Sequence, residues 1–439
     1  MRSFTLNSWQ GILSRARVTF AALAIRNYRL FFIGQGISLS GTWMQTVAQG
    51  WLVLQLTGSG TQVGLVVAVQ FLPLLFFTPV GGMIADTYLK RSILILTQSL
   101  FVVVQLLLGV LVVFHIAQLW MIYALALLYG LINAIDNPTR QSFVSELVDR
   151  EHLRNAITLN SVEVNLARAV GPSIGAIIIA TSGIGWCFIG NAITTLAVIY
   201  ALSQMQSKQF HLRKKKERPR PIKNLVEAWQ YAQQKKLIRD VLFMAAIVGT
   251  FSYEFQTTLP LFAKFVFGSN ASSYSELWVA FGLGSVVGGL MAAGRTQASV
   301  GYLVRSTLLF GLSMLAVSVM PTLEFAIFGM LLVGFFSINF TSLANTMLQL
   351  EADDAYRGRV MSLWTMAMLG STPIGGPIVG YLAEVFGARY GLAVGGAAAV
   401  LAGIFSIAPR FQNERLLAIP SYIKTSIFRI GTEQEAKLR

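Results

Sequence analysis

Three ionisable residues lie inside long apolar stretches of the sequence, where a charge is costly and therefore suggests a function. Glu163 and Arg168 share one stretch, and Glu254 lies in another, within the segment SYEFQ at 252–256. A buried carboxylate can take up and release a proton, so Glu254 and Glu163 are candidates for proton coupling. Arg168 is a candidate to bind an anion or to neutralise a carboxylate elsewhere in the molecule. The competing interpretation is that all three form structural pairs that fix helix contacts.

A row of polar residues recurs along residues 35–49 at intervals of three and four. This spacing places the side chains on one face of a helix. The row comprises Gln35, Ser38, Thr42, Gln45 and Gln49. A polar face on an apolar helix should point into the bundle or into a wet cavity, and polar packing within the bundle is the alternative.

The motif GPxxG occurs at 171–175 and again at 376–380, about 205 residues later. Its glycines allow close backbone approach, and its proline removes a helix hydrogen bond and favours a bend. The predicted packing or hinge positions are Gly171, Pro172, Gly175, Gly376, Pro377 and Gly380. Asp149 and Arg154 recur as Asp354 and Arg359 at the same offset, which indicates two related halves.

The composition indicates which kind of structural element must position these residues. The 439 residues are 54% hydrophobic and 12% charged, whereas soluble globular proteins have about 25% charged residues. Residues 30–85 contain no charged side chain, although about 20 residues suffice to cross a bilayer. Long continuous runs without alternation argue against a β-barrel. The chain is therefore predicted to be an integral membrane protein built from apolar helices.

Breaks in the apolar runs predict twelve spans. The first six are 30–56, 62–84, 92–114, 119–137, 156–180 and 184–203. The second six are 239–263, 275–294, 302–320, 323–345, 360–384 and 390–409. The corresponding domains are an N-terminal arm (1–29), a six-helix bundle (30–203), a basic linker (204–238), a second bundle (239–409) and a C-terminal tail (410–439).

The distribution of the basic residues predicts the orientation. All but three of the 34 Lys and Arg residues fall on one side of the predicted topology; the exceptions are Arg168, Lys264 and Arg389. The positive-inside rule then places both termini in the cytoplasm of a multi-pass inner-membrane protein. The net charge of +15 needs no nucleic-acid partner, because cations beside lipid headgroups account for it. The linker contains a predicted amphipathic helix at 222–236, either a tether or a regulatory, lipid-binding element.

Covalent chemistry finds no support in the sequence. The single Cys187 excludes a disulfide framework, and His115, His152 and His211 are scattered. No GxxxxGK[ST] motif is present to bind ATP phosphates. We therefore predict a protein that is not an enzyme and that uses neither a cofactor nor a metal.

The segment GMIADTYLKR at 82–91 resembles the loop motif of the major facilitator superfamily. The segments DNPTR at 136–140 and RAVGP at 168–172 are similar to the drug-efflux and siderophore-export branch of that superfamily. The chain departs from the loop motif at Thr87 and Leu89. In the second half, Ala293 stands where the acid of the motif would be.

This resemblance implies an all-α membrane protein with twelve transmembrane helices in two pseudo-symmetric six-helix bundles. It also implies that Asp86 latches the halves together on the cytoplasmic side, within a gate motif of Gly82, Asp86, Lys90 and Arg91. The cavity would be lined by spans one, four, seven and ten. Its candidate residues are Gln45, Gln49, Asn133, Arg168, Tyr253, Gln256 and Asn339.

The expected function is export of a small amphipathic molecule, a siderophore or a drug, by proton antiport with alternating access. The expected partners are the substrate, protons and the lipid bilayer, and the protein is expected to act as a monomer. A non-transporting sensor or assembly scaffold on a transporter fold is the alternative. A scaffold, however, would not need the loop acid or the charges within the spans.

Overall fold

The structure is a computed structural model that describes residues 20–206, 209–211, 221–293, 299–353 and 356–407. Most of the predicted N-terminal arm, the basic run at 213–216, Asp354 and the predicted tail at 410–439 lie outside the described residues. Throughout the described ranges the chain forms helices and no β-strand, which confirms the all-helical prediction.

Six helices make up the first half. They are α1 (Arg26–Thr57), α2 (Gly60–Thr87), α3 (Lys90–Val113), α4 (Leu119–Leu147), α5 (Leu153–Thr181) and α6 (Gly185–Ser203). Helix α1 packs on α5 and α6, and α2 packs on α4. Short connections such as 58–59 and 88–89 keep consecutive helices antiparallel.

The linker helix and the second half follow. Their helices are α7 (Pro221–Gln234), α8 (Lys236–Phe251), α9 (Phe255–Leu261), α10 (Ala271–Ala293), α11 (Val300–Ser318), α12 (Leu323–Glu351), α13 (Arg357–Met368), α14 (Thr372–Phe386) and α15 (Ala388–Ile407). Helix α10 packs on α12, and α11 packs on α12 and α15. A π-helical turn at Phe262–Val266 extends α9.

Within the described residues, nine helices are long and apolar enough to cross a membrane. They are α2 to α6, α10, α11, α12 and α15. The remaining three predicted spans fall on α1, which carries the polar row, and on two interrupted helices. The predicted spans 239–263 and 360–384 are not continuous, since the first breaks between Phe251 and Phe255 and the second between Met368 and Thr372.

Two seams join the halves: α2 packs along α14, and α5 packs along α10. Glycines bring the backbones of the first seam together. A β-carbon at Gly64 would collide with the carbonyl oxygen of Gly376, and one at Gly60 would lie 2.7 Å from the carbonyl oxygen of Gly380. The bounds of the two predicted domains stay a prediction.

We call the two ends of the molecule the basic end and the sealed end. The basic end carries the N-terminus of α1 at Arg26, the N-terminus of α3 at Lys90, and the linker helix α7. The sealed end carries the connection between α1 and α2 and the end of α14. At the basic end, Arg359 pairs with Glu227 of α7, and the rings of Tyr231 and Tyr356 stack with centroids 4.3 Å apart. The predicted amphipathic helix of the linker is therefore docked on the second half.

Candidate functional site

Glu254 lies in the break between α8 and α9, and only 2% of its surface is exposed. At this break, the Ser252 hydroxyl donates a hydrogen bond to the carbonyl oxygen of Gly395 (2.6 Å). A β-carbon at Gly375 would lie 2.9 Å from Oε1 of Glu254, and one at Gly376 would lie 3.4 Å from Oε2. The carboxylate therefore lies over the first turns of α14, where the partial positive charge of a helix N-terminus favours an anion.

This position also touches the other half of the molecule, because Gly376 approaches Gly64 of α2. Among the described residues, Oε1 of Glu254 has no hydrogen-bond partner. A buried oxygen without a partner loses its hydration without compensation. Glu254 is therefore a high-energy carboxylate placed at a contact between the halves.

Glu163 has a different setting, although it is also buried, with 5% of its surface exposed. Its Oε1 lies 3.1 Å from where a β-carbon of Gly36 would be, so it faces α1 of its own half. Within the part of the chain that is described, this oxygen has no hydrogen-bond partner either. Glu163 and Arg168 are five residues apart on α5; Glu163 lies at Gly36 of α1, and Arg168 lies at Trp43 of α1.

A polar network on α4 was not among the site residues predicted from the sequence. Asp136 accepts hydrogen bonds from Thr97 (2.6 Å) and Gln98 (2.9 Å), and its Oδ2 lies 3.7 Å from Nε of Arg140. The sequence signal was the DNPTR segment, whose spacing of four places Asp136 and Arg140 on one face of a helix.

Arg168 lies where α5 meets α10. Its guanidinium carbon is 4.8 Å from the ring centre of Trp43, in the first half, and 5.6 Å from that of Phe281, in the second half. Beside it, the backbone of Ala169 approaches Gly282 so closely that a β-carbon at Gly282 would lie 2.8 Å away. Aromatic rings from both halves thus pack against the guanidinium of Arg168.

The polar row of α1 is mostly used for packing. Gln45 accepts a hydrogen bond from Asn191 (2.7 Å), and Gln49 donates one to Gln70 (2.9 Å). Gln45, Gln49 and Gln256 line a cavity of about 20 Å³, which is room for about one water molecule. The row therefore supplies a small polar pocket rather than an open binding surface in this conformation.

The other predicted cavity residues lie on α4, in the α8–α9 break and on α12. Asn133 is half-buried on α4. The Tyr253 hydroxyl is 2.6 Å from that of Ser337. Asn339 donates to the carbonyl oxygen of Phe335 (2.7 Å), while its Oδ1 has no partner within the described ranges.

A cluster at the sealed end joins the halves and was not predicted. Oε2 of Glu384, at the end of α14, accepts hydrogen bonds from the Ser59 hydroxyl (2.6 Å), the Thr61 hydroxyl (2.7 Å) and the Thr61 backbone N–H (2.9 Å). The sequence gives no signal for this contact, because the partners are more than 320 residues apart. The cluster ties the connection between α1 and α2 to the second half.

The predicted gate motif at the basic end makes contacts within the first half. Lys90 pairs with Glu146, and Arg91 donates to the carbonyl oxygen of Ser203 (2.9 Å). Asp86 is exposed, Gly82 has open space beside it, and no hydrogen bond or ion pair is recorded for Asp86 among the described residues. The predicted latch is not engaged in this conformation.

The two GPxxG motifs have different surroundings. Helix α5 continues through Pro172 without interruption, with Gly171 packed on Ser40 and Trp43 and Gly175 packed on Met44, all in the first half. In the second copy, Gly376 and Gly380 form the close contact with α2, and Pro377 lies inside α14. Of the described glycines in the two motifs, those of the second copy contact the other half, whereas those of the first copy contact their own half.

Comparison with known proteins identifies a family that matches the chain. Residues 17–421 match the sequence profile of the family described as transmembrane secretion effector. The chain is 23% identical to a staphyloferrin A transporter of Staphylococcus aureus over 362 residues, which cover 82% of this chain and 90% of that protein. It is 24% identical to the enterobactin exporter EntS of Escherichia coli over 410 residues, which cover 91% of this chain and 95% of that protein.

Solved structures share the fold. A bacterial homologue of the human lysosomal transporter Spinster, inward-facing and unoccupied, has a TM-score of 0.66 at 16% identity, covering 87% of this chain and 95% of that one. A D-xylose–proton symporter has a TM-score of 0.69 at 13% identity, covering 88% and 99%. At these identities the likeness concerns the fold alone.

Proposed function

The chain belongs to the transmembrane secretion effector family of major facilitator transporters, and on that premise we propose that it is a proton-driven exporter. It is a multi-pass membrane transporter; the coupling ion, the direction and the substrate are the proposal. The proposed substrate is a small amphipathic molecule, a siderophore or a drug-like compound. Relatives named as a staphyloferrin A transporter and an enterobactin exporter support this substrate class.

The setting of Glu254 is the observation that carries the proton coupling. Its carboxylate is buried, has an oxygen without a partner in the described ranges and lies over the N-terminus of α14 beside the Gly64–Gly376 contact. Protonation removes a charge from this contact, so it changes how strongly α14 holds the carboxylate. A proton can therefore bias the seam between α2 and α14, which is the requirement for coupling.

The proposed orientation puts the basic end in the cytoplasm of a cell with the protein in its inner membrane. The sealed end then faces outward, where Glu384, Ser59 and Thr61 hold the halves together. The exposed Asp86 supports an inward-facing state, in which the substrate enters from the cytoplasm. A substrate then crosses when the seal opens and the Asp86 latch closes, and one chain suffices for this cycle.

Transport into reconstituted proteoliposomes tests the proposal. Purified protein is reconstituted, and the movement of enterobactin, staphyloferrin A and ethidium is measured with and without an imposed pH gradient. We expect gradient-driven movement of at least one compound, abolished by a protonophore, together with proton flux in the opposite direction.

Substrate movement at the same rate with and without the pH gradient would reject proton coupling. Absence of movement for all three compounds would reject the exporter and favour the sensor or scaffold alternative. Sedimentation of the detergent-solubilised protein tests the monomer, and protease accessibility of the linker in spheroplasts tests the orientation.

A further inference from the structure

Arg168, Lys264 and Arg389 are the three basic residues that do not fall on the basic side of the predicted topology, and their surroundings differ. Lys264 donates to the carbonyl oxygen of Leu54 (3.3 Å), in the last turn of α1. Arg389 donates to the carbonyl oxygens of Ser318 (2.8 Å) and Met320 (2.9 Å), at the end of α11. Both cations therefore satisfy carbonyl groups at helix C-termini, where positive charge is favourable.

Arg168 has no such explanation. Its Nε is buried without a hydrogen-bond partner, and no ion pair or hydrogen bond is recorded for its side chain among the described residues. The two carboxylates in the spans are placed elsewhere, Glu163 against α1 and Glu254 against α14. A guanidinium within the membrane is expensive and normally has a carboxylate or carbonyl partner.

The surroundings of Arg168 are aromatic. Trp43 and Phe281 lie against the guanidinium, and Trp278 lies against both rings, with centroids 5.3 Å from Trp43 and 5.7 Å from Phe281. The indole N–H of Trp278 is also buried and interacts with the Tyr274 hydroxyl. Among the described residues, the guanidinium of Arg168 thus lies beside these rings without a hydrogen-bond or ionic partner.

On the side of the sealed end, the rings of Trp51 and Tyr274 stack with centroids 6.3 Å apart, and Tyr274 adjoins Trp278. Arg168 itself is half-buried rather than enclosed. We therefore place the approach of a ligand on the side of the basic end.

We propose that Arg168 is the anion-binding group of the transport site and that the substrate is a flat aromatic or conjugated anion. The guanidinium forms paired hydrogen bonds with a carboxylate or a similar oxyanion, while the half-buried Trp43 stacks on the apolar part. The buried rings of Trp278 and Phe281 support this surface from behind. This inference rests on the proposed function and adds the charge of the substrate to it.

Two fluorescent probes that differ only in charge test the inference. Dansylglycine carries a carboxylate and dansylglycinamide a neutral amide, and energy transfer from tryptophan reports the binding of either to purified protein. We expect the wild-type protein to bind dansylglycine at least tenfold more tightly. Arg168→Gln should remove this preference, and Arg168→Lys should keep part of it.

Arg239→Gln is the matched control, because it removes an equal charge from a half-exposed position beside Asp240 at the basic end. It should bind both probes as the wild-type protein does. Equal or absent binding of the two probes by the wild-type protein overturns the inference, as does a preference that survives in Arg168→Gln.

The proposed function is measured separately, as gradient-driven transport of enterobactin, staphyloferrin A and ethidium, taken together, by the same variants. Its absence in the wild-type protein would count against the proposed function, while the binding preference decides the role of Arg168. If Arg168→Gln does not fold, Arg168→Lys and the comparison of the two probes on the wild-type protein still decide.

Discussion

Two buried carboxylates, each with one oxygen that has no hydrogen-bond partner among the described residues, differ in what they touch. Glu163 faces Gly36 within the first half, whereas Glu254 lies on α14 at the seam with α2. A proton that binds to Glu163 changes the energy of one half internally. A proton that binds to Glu254 changes the energy of a contact between halves, and only the second change can drive one half relative to the other.

Glu254→Gln should therefore uncouple transport from the proton gradient while substrate binding is retained. The amide keeps the size of the side chain but cannot gain or lose a proton in the cycle. The measurement is proton flux together with substrate movement in proteoliposomes, and we expect gradient-driven uptake to fall at least tenfold. Downhill exchange of substrate should remain.

Glu163→Gln is the matched control, since it neutralises a buried acid inside one half. Its gradient-driven uptake should stay within about threefold of wild type. If the two variants lost coupling equally, the distinction between their positions would be wrong.

At the scale of the helix, the α2–α14 seam depends on backbone contact. Gly64→Ala puts a methyl group against the carbonyl oxygen of Gly376, and overpacking of this kind costs about 1–3 kcal/mol. We expect the sealed end to open, with the ratio of closed to open states reduced by roughly fivefold to 150-fold. Spin labels on the two sides of the seal would show this as a longer distance. Gly289→Ala, where the nearest atom is 3.7 Å away, should leave the distance unchanged.

The sealed end is also held by the carboxylate of Glu384. Glu384→Gln keeps one acceptor oxygen but removes the charge from three hydrogen bonds with Ser59 and Thr61. Because the site is exposed, we expect a loss of about 1 kcal/mol, close to fivefold in the open population. The same spin-label distance measures it. Glu324→Gln, an exposed acid in the first turn of α12, should have no effect on that distance.

The sequence predicted the positions of the spans, but not the breaks within two of them or the contacts between the halves. Apolar length located the spans, because crossing a bilayer requires a run of apolar residues whatever the neighbours are. The breaks in the seventh and eleventh spans were not predicted, since they depend on partners far along the chain, such as Gly395 for Ser252. Glu254 was found because a charge in an apolar run is conspicuous, but its position over α14 and the Glu384 cluster required the fold.

At the scale of the whole molecule, alternating access requires the sealed end to open. Ser59 and Glu384 are in hydrogen-bond contact, so a short bis-methanethiosulfonate reagent should bridge cysteines at both positions. We expect this reagent to stop transport by the Ser59→Cys, Glu384→Cys variant and a reductant to restore it. Each single-cysteine variant should be insensitive to the reagent, because the native Cys187 is buried. Transport that continues in the cross-linked protein would contradict the cycle.

The two helix breaks have a consequence for hydration. Each interruption, at 252–254 and at 369–371, leaves backbone N–H and C=O groups without their helical partners, and in a bilayer such groups need protein or water around them. Both breaks belong to the half that carries Glu254, and α14 begins directly after the second. Water drawn to these groups would give a proton its route to the carboxylate. Hydrogen–deuterium exchange should therefore be faster at the amides of these breaks than in the uninterrupted α5, although all lie within the membrane.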